Sequence, residues 1–548
     1  MWVPTKPSGP TPKPKNSAGL ILSAAKDLCI CSCRVPHISH LRCGLPPTPI
    51  NTHPTPENRM SPFDRRSFVA LLGSSLSTLA LSPSEAESQP NPPASLANRR
   101  PNVVIMICDD IGSGDLGCYG SDLPTPNLDR LASQGMRFTH FNAAHPICSA
   151  SRSALMTGRY APRTGTHPVY FPTSTEGMGL DETTIANLLH QQKYRSLCVG
   201  KWHLGHMPPY LPTSRGFDSF LGVPYSVDMR PLPLMKDTSI LEPETERALL
   251  TPRYTQAAVD FIEKSSEKSS AEPFFLYVAY SYPHIPINAS PKFKGKSRHG
   301  IYGDAVQEID WSVGEILATL ERKGLDQDTL VFFTGDHGPW FQGSTGPRRG
   351  RKGTSWEGGF RVPLLARWTG VIPAGVTCSQ AASNLDFVPT LASICGTKLP
   401  AKPLDGADIS ALLAGAPKLD HPKPFLYFSG LRGGLDMQCL RLGDWKLRFA
   451  QYAHETYVLG NDTGENRMLA KPELYDLHAD PGESYNLADD YPNVTTLMLN
   501  ALAELIPTFP DKVLESWKKL QANPASPFTP AGAAAKPPTY AAGPNHID

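Results

Sequence analysis

An excess of either charge is missing from this chain. Its 52 basic and 51 acidic residues leave a formal net charge of +1, so no global positive excess recruits nucleic acid and any basic patch must be argued locally. Cysteine is also sparse, with 11 in 548 residues. Four of these, Cys29, Cys31, Cys33 and Cys43, stand in a Pro-rich stretch that offers little to fold around a zinc ion. The other seven, Cys108, Cys118, Cys148, Cys198, Cys378, Cys395 and Cys439, form no dense small-domain framework. Their odd number leaves pairing and buried thiols both open. No internal repeat is visible. The apolar run at 69–81 is too short and too Ser-rich for a transmembrane helix.

What is present begins with a processed-looking N-terminus. Residues 61–86 read "SPFDRRSFVALLGSSLSTLALSPSEA". Adjacent Arg65 and Arg66 precede the apolar run, and Ser84-Glu85-Ala86 follows as a small-residue cleavage site. The segment resembles a bacterial twin-arginine export signal, with Met60 where an initiator would stand. The expectation is a dispensable or disordered leader at 1–59, a signal peptide at 60–86 and a linker at 87–100. A mature protein in the periplasm or outside the cell, with no stable membrane span, follows.

From residue 101 the pattern alternates. "NVVIMIC" is a continuous apolar, β-branched run, as in a strand covered on both faces. "TPNLDRLASQG" reads as a helix with a Gly stop. Further strands are predicted at "YRSLCVG", "PFFLYVAY", "TLVFFTG" and "VPLLARW". Helices are predicted at "DETTIANLLHQQ", "TPRYTQAAVDFIEKSS" and "IYGDAVQEIDWSVGEILATLERKG". In the last, Ile309, Val313, Ile316, Leu317 and Leu320 recur at helical spacing. Alternating strands and helices define an α/β domain, 101–405, around a large, mostly parallel sheet flanked by helices. Beyond it "FLYFSG" and "QCLRLGDWKLRFA" read as antiparallel strands, and "DDYPNVTTLMLNALAELIPTF" ends in a helix. They make a smaller C-terminal α+β domain, 406–521, before an Ala- and Pro-rich tail, 522–548, expected to be disordered.

Open α/β sheets gather functional groups at the carboxyl ends of their strands. Two such ends carry acids here, Asp109-Asp110 after "NVVIMIC" and Asp336-His337 after "TLVFFTG". Adjacent buried carboxylates repel unless a cation or basic groups neutralise them. Helix caps and loop acids account for either pair alone; both pairs after apolar strands favour a hard-cation site of mainly oxygen ligands. "VGKWHLG" adds Lys201 and His203, and "AYSYPHIP" adds His284, each a weak signal by itself. "GPRRGRKGTSWEGGF" sets Arg348, Arg349, Arg351 and Lys352 in a Gly-rich loop, either a solvated surface or an anion-binding rim. "PICSASRSALMTGRY" places Cys148 at the mouth of a helix ahead of Ser151 and Arg152. A buried thiol, a disulfide partner, a nucleophile and a site of covalent modification are all open for it. A dication site, several positive side chains, histidines and this cysteine together suit hydrolysis of an anionic ester.

These segments resemble, in order, the motifs of the sulfatase family. "CSASRSALMTGR" is similar to the signature whose Cys is oxidised to formylglycine (3-oxoalanine), and "GKWHLG" to the second signature. "LYDLHADPGESYNLA" is similar to the closing motif. The likeness runs from about 101 to about 509. "RGFDSFLGVPYSVDM" places it nearest the arylsulfatase A and N-acetylgalactosamine-6-sulfatase branch. The resemblance implies an alkaline-phosphatase-like fold and release of sulfate from an aryl or carbohydrate ester. It implies Ca2+ on Asp109, Asp110, Asp336, His337 and the modified Cys148, with Arg152 supporting that cluster. Lys201, His284 and Lys352 would meet the sulfate or the leaving group, His203 would assist elimination, and Ser226 would contact sulfate. It further implies formylglycine-generating machinery as a partner. Two departures are Ala150, where Pro is commoner, and His337, where Asn is frequent.

The resemblance also makes sense of the residue types. One hydroxyl of a hydrated aldehyde at position 148 would attack sulfur, and the second would allow sulfate to leave. Two other functions share these motifs: a phosphonate or phosphate diester hydrolase, and a non-catalytic sulfated-glycan binding protein. "GKWHLG" and "PYSVDM" favour sulfate over the first, and the complete set of reactive residues argues against the second. Nucleic-acid binding through "PRRGRKG" has no interleaved aromatics behind it. The expected substrate is a sulfated small molecule or glycan, its identity set by loops such as "MRPLPLMKDTSILEPETE".

Overall fold

A computed structural model describes residues 96–267, 272–419, 423–429, 434–452 and 466–524. The expectations for the leader, the export signal and most of the tail lie outside these residues. In chain order the strands begin with β1 (Asn102–Cys108), β2 (Met136–Phe138), β3 (Phe141–Asn142), β4 (Arg195–Lys201) and β5 (Ser219–Val223). Then come β6 (Leu234–Lys236), β7 (Ser239–Glu242), β8 (Phe274–Ala279), β9 (Thr329–Gly335) and β10 (Leu364–Arg367). β11 (Val376–Cys378), β12 (Ala382–Ser383), β13 (Phe425–Phe428), β14 (Met437–Leu442), β15 (Trp445–Tyr452) and β16 (Asn466–Asp476) complete the set. The longer helices are α1 (Pro126–Ser133), α2 (Cys148–Thr157), α3 (Leu250–Glu267), α4 (Gly300–Arg322), α5 (Phe387–Cys395), α6 (Pro492–Leu505) and α7 (Asp511–Gln521).

Ten strands form one sheet in the order β11-β2-β10-β9-β1-β8-β4-β5-β6-β7. Its centre, from β9 to β5, is parallel throughout. β10 runs antiparallel to β9 and β2, and β6 and β7 close the far edge as antiparallel strands. The segment read as a specificity loop, 229–246, therefore contains this edge hairpin. β1 is buried along its whole length, and its side chains alternate between two cores. Val103, Ile105 and Ile107 join α5 residues Phe387, Val388 and Leu391. Val104 and Met106 point the other way, joining Tyr254 and Ala258 of α3 and Ile309, Val313 and Leu317 of α4. Helices thus cover both faces, as a parallel sheet requires. A four-stranded antiparallel sheet, β13-β14-β15-β16, packs with α6 and α7 through Leu447, Leu474, Met498, Leu502 and Val513.

The register of the central strands creates the platform for the site. Cys108 pairs with Gly335, Ile107 with Ala279 and Ala279 with Gly200, so β1, β9, β8 and β4 end at one level. Gly200 is required where β4 meets β8: a Cβ there would stand 1.9 Å from the Ala279 carbonyl oxygen, at a φ of +103°. The predicted helix at 181–192 is shorter than expected, Ile185–His190. A capping box of Thr184 and Asn187 fixes its start. All seven described cysteines are free thiols, Cys118 half-buried and the rest buried.

One long-range cap ties the helical layer together. Thr125, the N-cap of α1, makes no side-chain capping bond. Asp310 of α4 does that work, accepting the Asn127 amide at 3.2 Å and the Leu128 amide at 2.8 Å. Asp310→Ala is expected to cost about 1–2 kcal/mol, the value of an N-cap, read as a lower urea midpoint with an unchanged slope.

Candidate active site

The residues that follow the aligned strand ends meet in one place. Asp109 and Asp110 leave β1, Asp336 and His337 leave β9, and Lys201 ends β4. Cys148 is the first residue of α2, whose N-terminus brings the positive end of the helix dipole to the acids. Its Sγ lies 3.6 Å from Asp109 Oδ1 and 3.2 Å from His337 Nε2. All of these groups are buried.

Three cations answer the three carboxylates. Arg152, one turn along α2, donates through Nε to Asp336 Oδ2 at 3.1 Å, and its Nη2 lies 2.9 Å from the same oxygen. Its Nη1 donates to the Lys201 carbonyl at 3.1 Å. Lys201 Nζ donates to Asp109 Oδ2 at 2.5 Å and to Ser226 Oγ at 3.0 Å. Lys352 Nζ donates to Asp110 Oδ1 at 2.7 Å. Burial opposes the charged form of Asp109, but Lys201, His284 and Arg152 overcome it and hold its carboxyl well below the usual range. Burial wins at Asp110 and raises its carboxyl, against the pull of Lys352 and His284. At Cys148, burial and Asp109 oppose the thiolate, but Lys201, Lys352 and His337 outweigh them and the thiol is lowered.

Three imidazoles are each fixed by a main-chain carbonyl, which accepts and so must face a ring N–H. His203 Nε2 lies 2.9 Å from Tyr170 O, which leaves Nδ1 as a bare lone pair. That atom is buried without a hydrogen-bond partner. Burial, aided by Lys201 and Arg152, holds His203 well below its ordinary value and therefore neutral. His284 Nδ1 donates to Ile285 O at 2.5 Å, and its Nε2 stands 3.8 Å from Asp110 Oδ2. His337 Nδ1 donates to Gly338 O at 2.9 Å, turning Nε2 toward Cys148 and Asp336. Burial opposes a charged His337, yet Asp336 and Cys148 push it up to about 9.

The donor set suits a hard cation. Asp109, Asp110, Cys148 and His284 offer ligand atoms within 4.8 Å of one another, and so do Asp109, Cys148, Asp336 and His337. Asp110 Oδ2 is buried without a hydrogen-bond partner, an orphaned oxygen that a cation would satisfy. Every residue to which the family resemblance gave a role stands in or beside this cluster, whereas Arg348 donates to Ser113 Oγ, Arg349 lies over the Trp356 ring and Arg351 donates to the Trp340 and Gly343 carbonyls. His203 and His284 are held by the carbonyls of Tyr170 and Ile285 rather than by hydrogen bonds to the other site residues.

Supporting residues escaped the sequence reading. Ser151 Oγ donates to the Asp336 carbonyl. Asn384 donates to Ser151 Oγ at 3.0 Å and accepts the Ala144 amide at 2.8 Å, joining the start of α5 to that of α2. Ser151 lay within the quoted motif, but Asn384 and the Tyr170 carbonyl carry no motif of their own.

Comparison with known proteins agrees with this geometry. The Sulfatase family model matches residues 101–397, more than half of the 548-residue chain. Human arylsulfatase A is 38% identical over 444 residues, covering 74% of this chain and 87% of that protein. N-acetylgalactosamine-6-sulfatase of Canis lupus familiaris is 35% identical over 479 residues, covering 77% and 90%. The crystal structure of PsFucS1 sulfatase from Pseudoalteromonas sp. has a TM-score of 0.67 at 28% identity, covering 75% of this chain and 91% of that one. The strand-end acids, the signature helix and these likenesses lead to one conclusion: the chain belongs to the sulfatase family, in its arylsulfatase A-like branch, and is a sulfuric ester hydrolase with the alkaline-phosphatase-like fold.

Proposed function

We propose that the chain releases sulfate from an aryl or carbohydrate sulfate ester at the Cys148 cluster, with residue 148 oxidised to formylglycine and calcium held by Asp109, Asp110, Asp336 and His337. The observation that carries this reading is the placing of the Cys148 Sγ, 3.6 Å from Asp109 Oδ1 and 3.2 Å from His337 Nε2, inside a shell that includes Lys201 and Lys352. When present, the hydrated aldehyde supplies one hydroxyl for attack and another for release, and calcium supplies Lewis-acid charge.

The chain's own side chains do the rest. Lys201 and Lys352 hold the sulfate oxygens, and Ser226 orients the Lys201 ammonium through its 3.0 Å bond. His284, with Nδ1 committed to Ile285 O, uses Nε2 toward the leaving alcohol. His203, neutral and with Nδ1 unpartnered, takes a proton at that atom. Arg152 keeps Asp336 and the β4 end in place. The names of the two relatives point to aryl and amino-sugar sulfates, and both classes are kept for this chain. The twin-arginine-type segment supports export to the periplasm or beyond the cell. Among the described residues, no helix is long and apolar enough to cross a membrane.

Mass spectrometry of the peptide spanning Cys148 is expected to show an aldehyde in active protein, and Cys148→Ala to lower sulfate release by more than about 10³-fold. An intact thiol in fully active protein overturns the formylglycine assignment. Dialysis against EGTA should remove activity that added calcium restores; full activity after metal removal would exclude the ion. Lys352→Ala should lower kcat by about 10²–10³-fold, as loss of one oxyanion-stabilising group does, and should also lower the thermal midpoint, because the buried Asp110 carboxylate loses its 2.7 Å partner.

A further inference from the structure

Lys352 belongs to a segment pinned at both ends. On one side its own amide donates to Pro339 O at 3.1 Å, and the Gly353 amide donates to Pro146 O at 3.0 Å. The segment is thereby fastened to the β9 exit and to the approach to Cys148. On the other side the fastening comes from the C-terminal sheet. Lys446 of β15 donates through Nζ to the Ser355 carbonyl at 2.8 Å. Glu483, from the closing motif, accepts the Glu357 amide at 2.7 Å through Oε2. Lys446 and Glu483 pair with each other at 2.7 Å, both side chains 0% exposed. The Glu357 carboxylate is answered in turn by Arg361, by Tyr427 Oη at 2.5 Å and by Lys446 at 3.4 Å. Two guanidinium groups approach the Trp356 ring, Arg349 at 3.8 Å and Arg448 at 4.2 Å from its centroid.

Such an arrangement is a poor way to add stability alone. A buried ion pair loses hydration that its attraction regains only in part, and apolar replacements of similar volume are often neutral or better. Glu483 also holds a left-handed backbone, φ +52°, which is unfavourable for a residue with a Cβ. Both costs fall on side chains sealed from solvent, out of a substrate's reach. What they secure is the placement of the Ser355 carbonyl and the Glu357 amide, three and five residues beyond Lys352.

We infer that Lys446 and Glu483 are positioning residues for Lys352, so that the C-terminal sheet sets the geometry of the sulfate-binding cation. This rests on the reading of Lys352 as that cation. The pair touches no substrate; it acts through the 352–357 segment.

A double-mutant cycle on the full chain tests it, with kcat, KM and thermal midpoint measured on an aryl sulfate. Lys446→Met is expected to lower kcat/KM by about 10-fold in the natural background and by less than about 2-fold beside Lys352→Ala, because coupled residues are not additive. Equal losses in both backgrounds would mean a merely structural effect and overturn the inference. Unchanged activity in Lys446→Met would overturn it as well. Glu483→Gln, nearly isosteric, carries the same cycle with the same criteria should Lys446→Met not fold. If Lys352→Ala itself retains natural activity, the reading of Lys352 fails, a result separate from either outcome of the cycle.

Discussion

Three carboxylates buried within a few ångströms of one another set the terms for the rest of this protein. Asp109, Asp110 and Asp336 are withdrawn from water at the ends of adjacent strands, where each isolated charge costs several kcal/mol. The fold answers with cations from three separate places: Arg152 from α2, Lys201 from β4 and Lys352 from the segment after β9. Each demands a docking geometry of its own element. α2 must abut the sheet's carboxyl edge, β4 must end level with β1, and the 339–357 segment must fold back over both. The aligned register and the close approach at Gly200 are what make those demands compatible.

The backbone takes part in this more directly than a residue inventory conveys. Three imidazoles are oriented by main-chain carbonyls, so loop conformation determines which ring nitrogen carries a lone pair. Asp110 and His203 both adopt left-handed backbone, φ +68° and +58°. Strain of that kind in residues with a Cβ persists only where surrounding structure enforces it, and it gathers at functional sites. Here it turns Asp110 back toward Lys352 and His203 toward Tyr170.

Much of this was legible in the amino-acid order. "NVVIMIC" and "TLVFFTG" are strands with the predicted limits, because continuous β-branched and aromatic runs buried on both faces leave little choice. Residues just beyond such strands have nowhere to go but the sheet's carboxyl edge, which is why the acids were found. Strand direction was not legible: nothing in "VPLLARW" distinguishes the antiparallel β10 from a parallel neighbour. Nor was the short helix at Ile185–His190, whose limits depend on a capping box inside a longer periodic run. Asn384 and the Lys446–Glu483 pair act on segments far away in the chain, and no local pattern announces them. The seven described thiols leave the question of pairing answered by free, mostly buried sulfurs.

Every residue of α2, from Cys148 to Thr157, is buried. For the oxidation proposed above, an enzyme would need residues around Cys148 in accessible form, and the folded helix presents none of them. The oxidation proposed for Cys148 and the burial of its helix would therefore compete in time in each new chain. A chain that folds first would shield that sulfur from the enzyme for as long as it stays folded.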